Sequence, residues 1–289
     1  MVSDIEFIND IPPQEQKDKP GLEYIMNPRP IFEHIKYKAS NKLENKVAII
    51  TGGDSGIGRA VAVLYAKEGA DVVIVYLNED IDAQETKKII EEKGCRAITI
   101  RGDISDEKFC DSVVKKTIDE FGKIDILVNN AAEQCAQNSI EDITKEQLYR
   151  TFEVNIFSIF YMTKACLPYL QEGSCIINTS SVTAYAGNER LIDYSSTKGA
   201  IVSFTRSLAL SLAEKRIRVN CVAPGPIWTP LIPSCFTKEE VAKFGQSTSY
   251  KRPGQPVEVA PSFVFLASDD ASYITGETIH INGGKIVNG

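Results

Sequence analysis

An eight-residue stretch, Thr51-Gly52-Gly53-Asp54-Ser55-Gly56-Ile57-Gly58, joins a short apolar run to a helical pattern, and few folds accommodate that junction. Val47-Ala48-Ile49-Ile50 is apolar and partly β-branched, as a strand buried on both faces of a parallel sheet must be. Helical spacing begins near Gly56 and continues through Ala60, Val61, Val63, Leu64 and Ala66. The order is strand, tight glycine turn, helix. Glycines admit φ > 0 and let backbone approach another group closely. The helix start offers unpaired N–H groups and partial positive charge to a phosphate. The spacing is G-x-x-x-G-x-G rather than the commoner G-x-G-x-x-G. Taken alone, the turn reads equally as a plain βα connection or as a cradle for a dinucleotide pyrophosphate.

The same alternation recurs. Strands are expected near 47–51, 72–76, 96–100, 125–129, 174–179, 217–222 and 277–281, with helices at 57–68, 83–93, 107–121, 145–170, 195–214 and 256–267. Alternating β and α predicts an α/β protein: one doubly wound parallel sheet of about seven strands, with right-handed crossovers placing helices on both faces.

A second constellation lies far downstream. Tyr194 and Lys198 are four apart in a segment with helical spacing, and positions i and i+4 share a helix face. A free tyrosine titrates near 10, too high for a base at neutral pH. An ammonium about 4 Å away, at an effective dielectric of about 20, is worth roughly 4 kcal/mol, or about three pKa units. Tyr194 is therefore expected to be lowered by Lys198. Ser181 follows the apolar run Cys175-Ile176-Ile177, at the carboxyl end of a strand, where α/β proteins bind ligands. Its hydroxyl can hold a substrate oxygen.

With these parts in this order the chain resembles the short-chain dehydrogenase/reductase family over about residues 44 to 289. The family's T-G-x-x-x-G-I-G stands at Thr51 to Gly58, its Asp after the third strand at Asp103, followed by Ile104, and its N-N-A-G at Asn129-Asn130-Ala131-Ala132, with Ala132 replacing glycine. Its catalytic Asn matches Asn155, its serine Ser181, and its P-G-x-[IV]-x-T matches Pro224-Gly225-Pro226-Ile227-Trp228-Thr229. The resemblance implies a Rossmann-type domain and an oxidoreductase acting on an alcohol or ketone. Tyr194 would be the general acid/base, with Lys198 binding nicotinamide ribose and lowering the tyrosine. Ser181 would orient the carbonyl, and Asn155 would support a water relay. The cofactor would meet Gly52, Asp54, Ser55, Gly56, Ile57, Gly58, Tyr76, Asp103, Ile104, Asn130, Ala131, Ala132, Tyr194, Lys198, Pro224, Gly225, Ile227 and Thr229. The resemblance also implies a homotetramer built through the helices at 145–170 and 195–214, and a lid at Thr229 to Tyr250 containing a capped short helix at Thr237. Glu133, Gln134, Tyr185, Glu189 and Trp228 are expected to line the substrate pocket, a mixture that leaves a polyol, a hydroxysteroid and a small secondary alcohol all open.

Arginine or lysine after the second strand would accept a 2′-phosphate, and a carboxylate there would bind ribose hydroxyls. Tyr76-Leu77-Asn78-Glu79-Asp80 offers neither at the usual position, but Asp54, Glu79, Asp80 and Asp82 should repel a phosphate. NAD is expected, with NADP left open by Arg59. Residues 1–42 form a proline-rich extension before the domain at 43–289. It carries Tyr24, Ile25, Met26, Ile31 and Phe32, and is expected to pack on the body or a neighbouring subunit rather than hang free. It also resembles a family subgroup called general-stress or glucose/ribitol-dehydrogenase-like.

Composition narrows the classes. A net charge of −7 argues against nucleic acid or an anionic membrane as partner. No apolar stretch suffices for a membrane span and the N-terminus is acidic rather than a secretory signal, so a cytoplasmic protein is expected. Seven scattered cysteines with no C-x-x-C pair predict neither a metal site nor disulfides, and two histidines make a serine–histidine hydrolase improbable. A sugar epimerase would need another glycine spacing and a substrate domain, and a methyltransferase has no use for Ser181, Tyr194 and Lys198 together. The alternative from outside enzymes is a dinucleotide-binding sensor.

Overall fold

The computed structural model describes residues 7–287. Seven strands, β1 (Val47–Thr51), β2 (Asp71–Tyr76), β3 (Ala97–Arg101), β4 (Ile126–Asn129), β5 (Cys175–Thr179), β6 (Arg218–Pro224) and β7 (Thr278–Ile281), form one sheet in the order β3-β2-β1-β4-β5-β6-β7. Every pairing is parallel. The helices are α1 (Gly56–Lys67), α2 (Asp80–Glu92), α3 (Glu107–Phe121), α4 (Lys145–Phe152), α5 (Ser158–Cys166), α6 (Thr183–Ala186), α7 (Ile192–Leu212), α8 (Lys238–Val241) and α9 (Pro256–Ala267).

Strand periodicity sends alternate residues into two separate layers. Ala48 and Ile50 of β1 pack with Ala60 and Leu64 of α1 and Phe263 and Val264 of α9. Ile49 between them packs with Val113 of α3, Met162 of α5 and Leu212 of α7. Both faces are thus covered, which is why the strands read as unbroken apolar runs. From β1 the chain winds outward to β3 and then returns to β4 on the other side of β1. That reversal opens a crevice at the carboxyl ends of β1 and β4.

Three helices differ from expectation by three residues or more, among them α7, which runs Ile192–Leu212 rather than 195–214. α2 starts at Asp80, three residues early, because Asp80 and Asp82 suit the positive end of a helix. The helix expected over 145–170 is interrupted by a π-helical turn at Glu153–Phe157, a distortion common at functional sites. Within it, Asn155 exchanges two hydrogen bonds with the Glu133 backbone, each 2.8 Å, tying the wide turn to the segment after β4.

The extension packs on the body. Apart from a 3₁₀ turn at Glu23–Ile25 its described part is irregular, as its prolines require. Gln16 N–H donates to Pro233 O at 2.7 Å, Val257 N–H to Ile31 O at 3.0 Å, and Trp228 Nε1 to Pro28 O at 2.9 Å. Ile11 and Met26 join Trp228, Ile232 and Val241 in a small separate core. The cysteines are free thiols, and no helix among the described residues is long and apolar enough to cross a membrane.

Candidate active site

The crevice begins at the glycine turn. Gly52 adopts φ +62° and Gly56 φ +50°, both in the left-handed region. Gly58 does not line the cleft; it lies beneath it, where an added Cβ would stand 1.8 Å from Gly52 O. Thr51 Oγ1 accepts from the Asn130 and Ala131 backbone N–H groups at 2.9 and 3.1 Å, and Asn130 Nδ2 donates to Thr51 O and Gly52 O. The two turns at the ends of β1 and β4 are therefore locked to each other. Ala132, where the family pattern has glycine, keeps a negative φ and costs no backbone strain.

A nicotinamide dinucleotide fits these residues. Gly52, Asp54, Ser55, Gly56, Ile57, Tyr76, Asp103, Ile104, Asn130, Ala131 and Ala132 all line the cleft, as do Pro224, Gly225, Ile227 and Thr229 at its other end. Glu79 also lines it, and its Oε1 is buried without a hydrogen-bond partner. A ribose hydroxyl is the kind of donor that atom lacks. Burial first, then the Glu79 charge, push the neighbouring Asp54 carboxyl above its usual range. Burial works against ionisation of Asp103, but hydrogen bonds from Ser105 and Arg150 hold it below the usual carboxylate range. Arg150 also grips Glu133 at 2.6 Å, completing an Asp103–Arg150–Glu133 chain along the wall that sequence reading missed.

Ser181, Tyr194 and Lys198 meet near the carboxyl end of β5, and all three line the cleft. Burial pushes the Tyr194 phenol up to about 12, against a hydrogen bond with Ser181 that lowers it. Lys198 is also buried, which brings its ammonium down to about 8. Its Nζ donates to Thr179 O at 2.8 Å and lies 5.3 Å from the Tyr194 ring centroid. The expected lowering of Tyr194 by Lys198 is not seen: burial raises the phenol, and what opposes it is Ser181. Asn155 stands behind the cleft rather than in it. Its amide is fully engaged with Glu133 and Thr197.

The expected substrate wall needs correction. Trp228 is fully buried and turned toward the extension, Tyr185 stacks edge-on against His280, and Glu189 lies outside the cleft. Glu133 and Gln134 do line it, together with Val182, Leu191, Leu231, Ile232, Phe236 and Phe244. Two of these were within reach of sequence: Val182 follows Ser181, and Leu191 lies three residues before Tyr194. The remaining four come from the segment read as a lid, where α8 carries the expected capping box between Thr237 and Glu240.

A crevice of this kind is where a nicotinamide dinucleotide lies in doubly wound sheets, which places the protein among Rossmann-type oxidoreductases. The family model described as Enoyl-(Acyl carrier protein) reductase matches residues 52–285, and the chain belongs to the short-chain dehydrogenase/reductase family. It is similar to General stress protein 39 of Bacillus subtilis, 57% identical over 97% of this chain and 98% of that one. Glucose and ribitol dehydrogenase of Daucus carota is 51% identical, covering 96% and 98%. NADPH-dependent aldehyde reductase 1, chloroplastic, of Arabidopsis thaliana is 52% identical, covering 95% and 98%. Two solved structures superpose closely. One is a short chain dehydrogenase from Burkholderia cenocepacia in complex with NADP, with TM-score 0.79 and 32% identity over 84% of this chain and 98% of that one. The other is a 3-ketoacyl-(acyl-carrier-protein) reductase from Brucella melitensis complexed with NADH, with TM-score 0.77 and 35% identity over 84% and 99%. The chain is an oxidoreductase of that family.

The glycine turn supplies a first test. Overpacking at Gly58 by an alanine methyl is expected to weaken NADH binding about tenfold or more, read by fluorescence titration. Unchanged affinity in a folded Gly58→Ala protein would contradict the packing of Gly58 beneath the cradle.

Proposed function

We propose that the protein transfers a hydride between NAD and an alcohol or carbonyl carbon, with Tyr194 as the group that gives and takes the substrate proton. The observation that carries this reading is the buried Tyr194 with Lys198 on the same helix face, both lining the glycine-turn cleft together with Ser181. When bound, a nicotinamide cofactor would supply or accept the hydride. Ser181 holds the substrate oxygen beside Tyr194, whose high pKa keeps it protonated and ready to donate. Lys198, anchored to Thr179 O, sets the positive charge on the tyrosine side of the cleft and would bind the ribose hydroxyls. Asn155 is a positioning residue acting through the Glu133 backbone and Thr197.

NAD is favoured over NADP because, among the described residues, no free cation faces the adenosine end. The Arg59 guanidinium is fully buried and engaged by Glu23, Asp82 and Glu85. Arg101, beside Tyr76 across the sheet, is held by Asp80 at 2.9 Å. Asp54 and Glu79 add carboxylates to the lining.

The corrected wall favours a carbonyl compound with an apolar body over a polyol. Leu191, Leu231, Ile232, Phe236 and Phe244 offer no partner to hydroxyl groups, and each hydroxyl buried unpaired costs about 1–3 kcal/mol. A panel of aldehydes, ketones, sugars and polyols is the test, run with NADH and NADPH for reduction and with NAD and NADP for oxidation. Apolar aldehydes or ketones are expected to exceed polyols in kcat/KM by about tenfold or more, with NADH preferred. Polyols as the best substrates would overturn the substrate reading, and NADPH preference the cofactor reading. We propose further that the protein is a homotetramer, a reading supported by the exposed Phe157 and Phe160 beside α7.

A further inference from the structure

Glu23 belongs to the proline-rich extension, yet its side chain is completely buried. Its Oε2 accepts the Gly56 backbone N–H at 2.6 Å, and its Oε1 lies 2.8 Å from Arg59 Nη1. Its own backbone N–H donates to Asp82 Oδ2 at 2.7 Å. Gly56 is the first residue of α1, and the Ser55 side chain provides no cap there. A helix start leaves several N–H groups without partners, and Glu23 satisfies one of them from 33 positions away in sequence.

The same knot grips the turn from below. Arg59 Nε donates to Asp54 O at 2.9 Å and Thr86 Oγ1 donates to the same oxygen at 2.7 Å. Arg59 Nη2 binds Asp82, and Arg29 of the extension binds Glu85. Glu23 does not line the cleft, whereas Asp54, Ser55, Gly56 and Ile57 do. Its carboxylate therefore acts on the far side of the turn from any ligand. A negative charge at a helix start would oppose a pyrophosphate there, but Arg59 offsets it at contact distance.

We propose that Glu23 is a positioning residue of the cofactor site, bracing the Gly56 end of the glycine turn so that the remaining free N–H groups are held ready for the dinucleotide. The extension is then part of the cofactor site rather than a covering. The proposal rests on dinucleotide binding in this cleft and is independent of the substrate, so direct NADH binding tests it separately.

The experiment compares Glu23→Ala and Glu23→Gln with Met26→Ala, whose side chain packs in the Trp228 core away from the glycine turn. NADH affinity is read by fluorescence titration, thermal stability by melting, and exposure of Gly56 by amide hydrogen exchange in the protein without nucleotide. Loss of a hydrogen bond to a charged group should raise the Kd for NADH about tenfold in Glu23→Ala and by less in Glu23→Gln, with faster exchange at Gly56 in both. Met26→Ala should lower the melting temperature and leave the Kd within about twofold. An unchanged Kd in folded Glu23→Ala would overturn the proposal. So would an equal rise in Met26→Ala at matched loss of stability. If Glu23→Ala does not fold, unchanged Kd and exchange in Glu23→Gln overturn it.

Discussion

Turnover of Tyr194→Phe is expected to fall about a thousandfold, the range lost with a general acid/base, while affinity for NADH stays within about twofold. The substitution keeps the ring and removes only the hydroxyl that meets Ser181. Because burial pushes this phenol up to about 12, it is an acid at neutral pH. Carbonyl reduction, which needs the proton, should therefore be nearly flat across neutral pH. Alcohol oxidation needs the tyrosinate and should rise with pH throughout the alkaline range. Steady-state rates in both directions, together with a nucleotide titration, check this. Near-normal turnover in the variant would remove Tyr194 from the chemistry. Tight NADH binding with no turnover of any carbonyl by the unaltered protein would favour the sensor reading instead.

Much of this architecture was legible because burial on both faces writes strands as continuous apolar runs. β1 begins and ends where Val47-Ala48-Ile49-Ile50-Thr51 predicts, and α3 and α9 match their expected limits. Of the expected catalytic and cofactor-binding residues only Gly58 and Asn155 stand outside the cleft lining, while Tyr185, Glu189 and Trp228 leave the expected substrate wall. The failures have physical causes. Nothing in helical spacing announces a π turn, because it is held by Asn155 and the distant Glu133 backbone. Trp228 was misplaced although simple alternation places it: Ile227 and Thr229 face the cleft, so their neighbour between them faces away, toward Pro28. Glu23 was invisible because a carboxylate in a proline-rich segment looks solvated until a partner 33 residues on is brought to it. Arg59 was read as a possible phosphate ligand because sequence shows its charge but not the carboxylates that consume it.

Those carboxylates make Arg59→Ala the most destabilising substitution expected among the charged residues. Arg59 and the Glu23 and Asp82 side chains are fully buried, and Glu85 is partly so. Removing one partner from a buried ion pair costs about 3–5 kcal/mol, because the remaining charge stays desolvated. For a chain of this size that corresponds to a fall of about 10 °C in melting temperature. The loss should depend on pH, with a sign fixed by Glu23. Burial raises its carboxyl to about 7 even against the attraction of Arg59, the Gly56 hydrogen bond and Arg29, with Asp82 adding to the rise. A group whose folded pKa lies above its unfolded value favours the folded state at low pH and loses that contribution as pH rises through the folded pKa. Without Arg59 the folded value climbs further. The gap in melting temperature between the two proteins should therefore widen from pH 6 to pH 8 and narrow again when Glu23→Gln is added to Arg59→Ala. A gap that is small, or that shrinks as pH rises, would mean that the carboxylates find water or other cations, and that the knot beneath the glycine turn is not closed.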